Sequence, residues 1–257
     1  MVNIKRHFFS DLGVMLGRSL RHIFRSMDTI ITVALMPIAM MLLFVYVLGG
    51  AIQTGTDNYV NYILPGILLI TTASGIAYTS YRLFIDMQQG FFQRFNSMPI
   101  ARSTALWGHV LSSLISNAIS LAIIIVVALI MGFRSSAGIL SWLAVAGILM
   151  LFTLALTWIA VIAGLSAKSA DGASAFSYPI IFLPFISSAF VPTASMPHVV
   201  RVFAENQPVT SIVNSIRALF AGQPVGNDLW IALAWCIGLI VAANTLAMIV
   251  YKRKALE

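Results

Sequence analysis

The stretch "GILSWLAVAGILMLFTLALTWIAVIA", residues 138–163, decides the fold because it contains no charged side chain. A helix of about 20 mostly apolar residues is long enough to cross the hydrocarbon core of a bilayer. Hydrophobic residues make up 60% of the 257-residue chain and charged residues only 9%, against about 25% charged residues in a typical soluble domain. A water-soluble core cannot hide so much apolar surface, so the sequence indicates an integral membrane protein.

Five further segments meet the same criterion of length and polarity. The predicted spans are residues 29–50, 61–81, 106–132, 138–163, 173–192 and 228–250. Prolines inside some of these spans are compatible with membrane helices, because neighbouring helices satisfy the freed backbone groups. The sequence therefore predicts an all-α, polytopic membrane protein with six transmembrane helices.

The basic residues lie mainly on one side of these spans. Twelve of the fifteen Lys and Arg residues fall in the two termini and in the second-to-third and fourth-to-fifth loops; the other three are Arg134, Arg201 and Arg217. Cytoplasmic loops carry the excess of Lys and Arg, so both termini are predicted to be cytoplasmic. The same asymmetry accounts for the net charge of +7 without nucleic acid as a partner.

Three regions follow from this topology. Residues 1–28 form a cytoplasmic N-terminus, residues 29–250 the transmembrane domain, and residues 251–257 a basic cytoplasmic tail. Within the first region, residues 7–27 place bulky apolar side chains opposite a basic face, a pattern typical of a helix lying in the membrane interface. This elbow helix either touches a cytoplasmic partner or is a plain anchor. The first apolar run is too long for a signal peptide, so we expect it to be retained.

The longest cytoplasmic connection is "RLFIDMQQGFFQRFNSMPIARS", residues 82–103. Its aromatic residues Phe84, Phe91 and Phe95 follow helical spacing, and Pro99 ends the pattern. Exposed aromatic residues at this face suggest a surface on which another protein docks. The alternative is that these side chains pack on the chain's own helices or in lipid.

Polar side chains form stripes on two of the predicted spans. The third span carries His109, Ser113, Ser116 and Ser120 on one face, and the second span carries residues 71, 74, 78 and 81 at a similar spacing. Small polar residues are typical of helix–helix contacts in membranes. The alternative interpretation is the wall of a substrate path.

The outer segment, residues 193–227, predicts two short helices. One begins at Pro197 and ends near Asn206; the other begins after Pro208 and ends at Gly222. Each is too short to span, so the segment is interpreted as a re-entrant or interfacial helical hairpin between spans five and six. Glu205 and Arg217 are close enough in sequence to pair across it.

The chain lacks the residue patterns of several other function classes. The nearest approach to a phosphate-binding loop, residues 164–169, lacks the glycine before Lys168. Ser174 stands in a sequence similar to that of intramembrane serine proteases, but no histidine is expected at its depth. The acidic residues of the chain lie in loops, termini or span ends. This argues against an ion-coupled carrier, which usually has a functional carboxylate within a span. We therefore expect no enzyme and no metal in this chain, with energy supplied by a partner.

Several motifs, in order along nearly the whole chain, resemble one family. They are "LMPIAMMLLFVYVLGG" in the first span, "YILPGILLITTASG" in the second, "DMQQGFFQRFNSMPIARSTALWGHVL" after it, and "FLPFISSAFVPTASMPHVVRVFAENQPVTSIVNSIRALFAG" from the fifth span onward. The chain thus resembles the membrane (permease) subunit of bacterial ATP-binding-cassette transporters of the type-2 export class, in the drug-resistance, daunorubicin-type branch.

The resemblance implies partners and a location. They are two copies of an ABC ATPase subunit, which carry ATP and Mg, a second permease copy in a homodimer, and the bacterial cytoplasmic membrane with its lipid. It also implies roles for three groups of residues. The ATPase-coupling segment comprises Arg82, Asp86, Gly90, Phe91, Phe92, Arg94, Phe95 and Pro99; the substrate path comprises Thr71, Ser74, Tyr78, Tyr178, Phe182 and Phe185; the outer hairpin comprises Pro192, Pro197, Glu205, Pro208 and Arg217.

The implied function is export of a lipophilic or amphiphilic substrate, such as a drug, antibiotic or lipid-like molecule, by alternating access. No cofactor is expected in this chain. Two alternatives remain open at this point. One is a polysaccharide or glycolipid export permease of the same class, and the other is an ion-coupled secondary transporter.

Overall fold

The computed structural model describes residues 27–49, 58–89 and 102–254. Within these ranges the chain consists of helices joined by short turns, with no β-strand, so the predicted all-α class is confirmed there. The elbow helix predicted for residues 7–27 lies almost entirely outside the described residues. So does the central part of the predicted coupling segment, residues 90–101.

Nine α-helices are present in the described ranges. They are α1 (Met27–Leu42), which continues as a π-helical segment (Leu43–Leu48), α2 (Tyr59–Gln88), α3 (Arg102–Ile130), α4 (Ile139–Ser166), α5 (Ala170–Ala175), α6 (Ser177–Phe182), α7 (His198–Asn206), α8 (Pro208–Phe220) and α9 (Asp228–Lys254). Two 3₁₀ segments, Leu183–Ile186 and Thr193–Ser195, follow α6.

Four helices of the described part are long and apolar enough to cross a membrane. They are α2, α3 from residue 106, α4, and α9 to residue 251, and they coincide with the second, third, fourth and sixth predicted spans. The first predicted span contains a shorter apolar helix, Ala34–Val47. The six-span count therefore stays a prediction.

The fifth predicted span is not one continuous helix. Its apolar part, Ala170–Ile186, is divided into α5, α6 and a 3₁₀ turn. Proline has no backbone N–H, so Pro179 cannot donate to the carbonyl of Ala175, where α5 ends. Pro184 likewise cannot donate to Ile180, and the chain tightens into the 3₁₀ segment at Leu183. Two prolines thus convert a predicted span into an interrupted one.

Helix α2 is the centre of the packing. It contacts α1, α3, α4, α5, α6 and α8, and 78% of its most apolar window is buried, against 17% for α9. Glycines allow the closest approaches: a Cβ on Gly66 would lie 2.7 Å from Ala189 Cβ, and one on Gly75 would overlap the Asn117 side chain. Small residues at helix contacts are typical of membrane bundles.

Helix α2 is also longer than the predicted second span. Asn58 caps its start by accepting a hydrogen bond from Val60 N (3.1 Å), and the helix continues to Gln88. Arg82 and Asp86 therefore lie on the last turns of a helix that continues without a break beyond the predicted end of the second span. The connection between α2 and α3 is therefore shorter than predicted, because residues 82–88 belong to α2.

The two short outer helices are confirmed as helices. Pro197 directly precedes α7, and Pro208 occupies the first turn of α8, where its missing N–H costs no helical hydrogen bond. Gly222, with φ +65°, follows α8, in the left-handed conformation that glycine adopts readily. Their description as a re-entrant hairpin stays a prediction.

Candidate functional site

The predicted coupling residues that the structure describes lie at the C-terminal end of α2. His109 Nε2 on α3 lies 3.2 Å from Asp86 Oδ2 on α2, and both side chains are largely buried. This contact joins the last turns of α2 to the first turns of α3, on either side of residues 90–101. The other six predicted coupling residues, from Gly90 to Pro99, lie outside the described residues.

Polar side chains of α2, α3 and α4 meet at Ser113, a member of the predicted third-span stripe. Ser113 Oγ lies 2.8 Å from Thr79 Oγ1 on α2 and 3.3 Å from Thr157 Oγ1 on α4, both within hydrogen-bond distance. Three helices are thereby linked by one hydroxyl group. Ser113 thus serves helix packing, in keeping with the general use of small polar residues between membrane helices. Its partner on α2, Thr79, is not one of the predicted stripe residues 71, 74, 78 and 81.

A small cavity lies beside this link. Its volume is about 30 Å³, and its lining residues are Gly75, Tyr78, Thr79, Arg82, His109, Ser112, Ser113, Ser116, Asn117 and Ser120. A cavity of this size holds a water molecule or two. In this conformation it is too small to pass a drug-sized molecule.

Asn117 is a buried residue of this region that the sequence pattern did not single out as functional. Its Nδ2 donates to Ser113 O (3.0 Å), whereas its Oδ1 is buried and accepts no hydrogen bond from the described residues. An unsatisfied buried carbonyl costs free energy. The missing Cβ of Gly75 leaves the space against α2 that the Asn117 side chain occupies.

The predicted substrate-path residues do not share one surface of the chain. Tyr178 and Phe182 on α6 are each 61% exposed. Phe185 is half-buried and stacks on Phe190, with 4.9 Å between ring centroids. Thr71 is completely buried and donates to Ile67 O (2.8 Å) within α2. Tyr78 lines the small cavity and Ser74 is half-buried.

Arg217 is the anchor of the outer segment. Its guanidinium donates to the backbone carbonyls of Tyr62 (3.2 Å) and Ser188 (2.7 Å) and to Asn214 Oδ1 (3.3 Å). It also lies 3.9 Å above the centre of the Tyr62 ring, a favourable cation–π contact. Burial lowers the pKa of Arg217 from its ordinary value, but arginine stays charged at neutral pH.

The predicted pairing of Glu205 with Arg217 is wrong. Glu205 Oε1 accepts hydrogen bonds from Arg201 Nε (2.8 Å) and Thr193 Oγ1 (3.2 Å). Residues four apart on a helix face the same side, so Arg201 reaches Glu205 within α7. The hydrogen bond from Arg201 also holds the pKa of Glu205 below its ordinary value.

Gln207, at the turn between α7 and α8, binds the interrupted fifth segment. Its carboxamide Nε2 donates to the carbonyls of Ile186 and, at 3.4 Å, Leu183. Leu183 and Ile186 are the first and last residues of the 3₁₀ turn, and no helix continues beyond Ile186 to satisfy its carbonyl. Pro192 lies between this 3₁₀ turn and α7, and its carbonyl accepts a hydrogen bond from Ser195 Oγ (2.7 Å). The position of this polar amide directly before Pro208, where one short helix ends and the next begins, is the sequence signal that would have indicated this role.

Comparison with known proteins bears on the class of transporter. Residues 10–221 match the family described as ABC-2 type transporter. The chain is also 27% identical over 244 residues to the daunorubicin resistance ABC transporter permease protein DrrB1 of Streptomyces coeruleorubidus, covering 92% of this chain and 86% of that protein. With its long apolar helices, and with most of its length matched, this chain belongs to the ABC-2 type transporter family and is a permease similar to those of the drug-resistance branch.

Proposed function

We propose that this chain is the membrane subunit of an ATP-driven exporter that moves a lipophilic or amphiphilic molecule across the bacterial cytoplasmic membrane. The observation that carries this proposal is the exposed aromatic face of the interrupted helix, with Tyr178 and Phe182 each 61% exposed. Membership of the ABC-2 type family supports the source of energy. The drug-resistance relative supports the substrate class.

The exposed aromatic side of the fifth segment is the surface that we expect a partner to cover. Irregular backbone at membrane depth is tolerated only where it is buried in protein or lines water. Tyr178 and Phe182 lie on the uncovered side of that segment. We infer that a second copy of the permease covers it in a homodimer, and that substrate passes between the copies along these aromatic rings.

The energy would come from two ATPase subunits that bind ATP and Mg. They would hold residues 82–99, and closure of the ATPases would pull on the Asp86–His109 contact at the ends of α2 and α3. ATP binding would then shift the population between inward-open and outward-open states. In this topology both termini are cytoplasmic, and α7 and α8 cap the exit on the outer face.

Co-purification tests the partner and the docking segment. We expect an ATPase with a phosphate-binding loop to accompany the wild-type chain from native membranes and to be depleted by the double change Phe91→Ala and Arg94→Ala. Arg253→Ala, at an exposed basic position near the end of α9, is the matched control and should retain it. An ATPase kept by the double variant would move the contact elsewhere. No ATPase at all, from preparations that keep other complexes intact, would overturn the proposal.

Transport into inverted membrane vesicles tests the substrate path. Phe182→Ala should raise the half-saturating concentration of a fluorescent amphiphilic cation about tenfold, the range expected for loss of apolar contact with a substrate. Trp235→Ala removes an aromatic side chain that is 43% exposed on α9 and should leave transport unchanged. Uptake driven by a proton gradient without ATP would favour the ion-coupled carrier. Uptake of a lipid-linked glycan but not of the amphiphile would favour a polysaccharide exporter.

A further inference from the structure

A cleft at the end of the molecule where α2 begins is distinct from the proposed substrate path. Its volume is about 350 Å³, and it lies between α2, the turn after α3 and the C-terminal end of α8. Two arginines, Arg134 and Arg217, and the rings of Phe133 and Phe220 line it. The volume falls within the range of small-molecule sites in proteins.

The cleft carries two positive charges. Within the described ranges, no carboxylate lies within 4.0 Å of either guanidinium group. Arg217 is held by carbonyl and amide oxygens, which solvate its charge without neutralising it. Burying a charge without a counter-charge is costly, so an anion entering this cleft gains electrostatic free energy.

Arg134 is held in position and keeps hydrogen-bond donors that the described residues do not use. Its Nη1 donates to Phe133 O (2.9 Å) and Leu129 O (3.3 Å), while its Nε and Nη2 make no hydrogen bond to the described residues. The backbone around it is fixed by Asn61, which accepts from Arg134 N (3.2 Å) and donates to Arg134 O (3.1 Å). A planar guanidinium with free donors matches the geometry of a phosphate group.

The surroundings of the cleft indicate which phosphate compound fits. The cleft lies at the end of the long apolar helices α2, α3 and α4, the level at which lipid headgroups meet a membrane protein. Its aromatic rings, Phe133 and Phe220, form an edge-to-face pair 5.1 Å apart. Although each is at most 3% exposed, they make up the apolar floor of the cleft beside the two charges. Arginines near an aromatic floor at this level suit a headgroup that carries net negative charge and is attached to acyl chains.

We propose that this cleft binds the phosphate group of an anionic compound, of the kind carried by an anionic lipid headgroup, with Arg134 as the adjustable donor and Arg217 as the fixed charge. The site is separate from Tyr178 and Phe182. Binding of an anion at this site does not depend on which molecule the transporter exports.

The experiment uses the purified full-length chain in neutral detergent and native mass spectrometry. Dioleoyl-phosphatidylglycerol is titrated against dioleoyl-phosphatidylcholine. We expect the wild-type chain to bind the anionic lipid at least tenfold more tightly, and Arg134→Gln to lose at least fivefold of that affinity with no change for phosphatidylcholine. Arg134→Lys, which keeps the charge, should stay within threefold of wild type. Arg201→Gln is the matched control, because Arg201 is an exposed arginine outside the cleft, and it should bind like wild type.

Inorganic phosphate distinguishes the two sources of the anion. Displacement of the lipid by millimolar phosphate would support a site for the phosphate group itself; lipid binding that phosphate does not displace would support a headgroup site that needs the acyl chains. Equal affinity for the two lipids would overturn the proposal. So would a loss in Arg201→Gln as large as that in Arg134→Gln, since a diffuse surface field would then explain the binding.

Discussion

At the scale of single residues, the contact of Gly75 with Asn117 makes a sharp prediction. A methyl group at Gly75 would lie 2.9 Å from Asn117 Cγ and closer still to its Oδ1, so either the buried Asn117 side chain or the two helices would have to shift. Overpacking of this kind costs about 1–3 kcal/mol. We expect Gly75→Ala to lower the temperature at which half of the detergent-solubilised protein aggregates, as measured by size-exclusion chromatography after heating.

Two variants control this measurement. Gly147→Ala adds the same methyl group on α4, where no atom lies within 4 Å of the new Cβ, and it should not lower the temperature. Adding Asn117→Ser to Gly75→Ala shortens the opposing side chain and should recover part of the loss. If the double variant is less stable than Gly75→Ala alone, the clash is not the cause.

Arg217 supplies a second prediction at this scale. Lysine at this position keeps the charge, but its compact ammonium lacks the planar fork whose separate nitrogens reach Tyr62, Ser188 and Asn214. Loss of hydrogen bonds from a charged group costs about 1.5–3 kcal/mol. Arg217→Lys should therefore lower the aggregation temperature, whereas Arg201→Lys on exposed α7 should leave it unchanged.

Exchanging Glu205 and Arg217 should not restore stability, because the two side chains bind different partners. Recovery of stability in the exchanged variant would contradict the structure.

At the scale of helices, the hydroxyl link among α2, α3 and α4 predicts a small coupling. Thr79 and Thr157 keep hydrogen bonds to carbonyls of their own helices, Gly75 O and Thr153 O, so removing Ser113 leaves neither unsatisfied. Hydrogen bonds between membrane helices are worth about 0.6 kcal/mol on average. We expect a double-mutant cycle of Ser113→Ala and Thr157→Ala, measured by unfolding in mixed micelles, to give a coupling of about that size. A coupling above about 2 kcal/mol would show that the link carries more than packing.

Helix lengths illustrate which features of an element the sequence can predict. The predicted spans at 106–132, 138–163 and 228–250 coincide with long helices, because an uninterrupted apolar run has few alternatives in a membrane. Helical spacing from Phe84 onward was predicted, but the continuity of that helix with the second span was not. The last turns of α2 contain Arg82 and Asp86, whose polarity resembles that of a loop, and the contact of Asp86 with His109 is visible only when α3 lies alongside.

At the scale of the whole molecule, the distribution of Lys and Arg predicts which loops face outward. The single cysteine, Cys236, is 1% exposed, so Cys236→Ala provides a background for labelling. In intact cells, a membrane-impermeant maleimide should label Gln223→Cys after α8 but not Lys168→Cys after α4; both positions are exposed. Labelling of Lys168→Cys alone would reverse the orientation, and would place the phosphate cleft on the cytoplasmic side.

The membrane class and the positions of most helices follow from the sequence by itself, because hydropathy and proline content act locally along the chain. The two short outer helices were predicted for the same reason, from Pro197, Pro208 and Gly222. Only the tertiary structure decided which residues contact each other. Arg217 binds Tyr62, 155 residues away, and not Glu205, because the choice depends on which helices lie side by side. The Arg134–Arg217 cleft exists only through the same packing, which places the turn after α3 against the end of α8 and the start of α2.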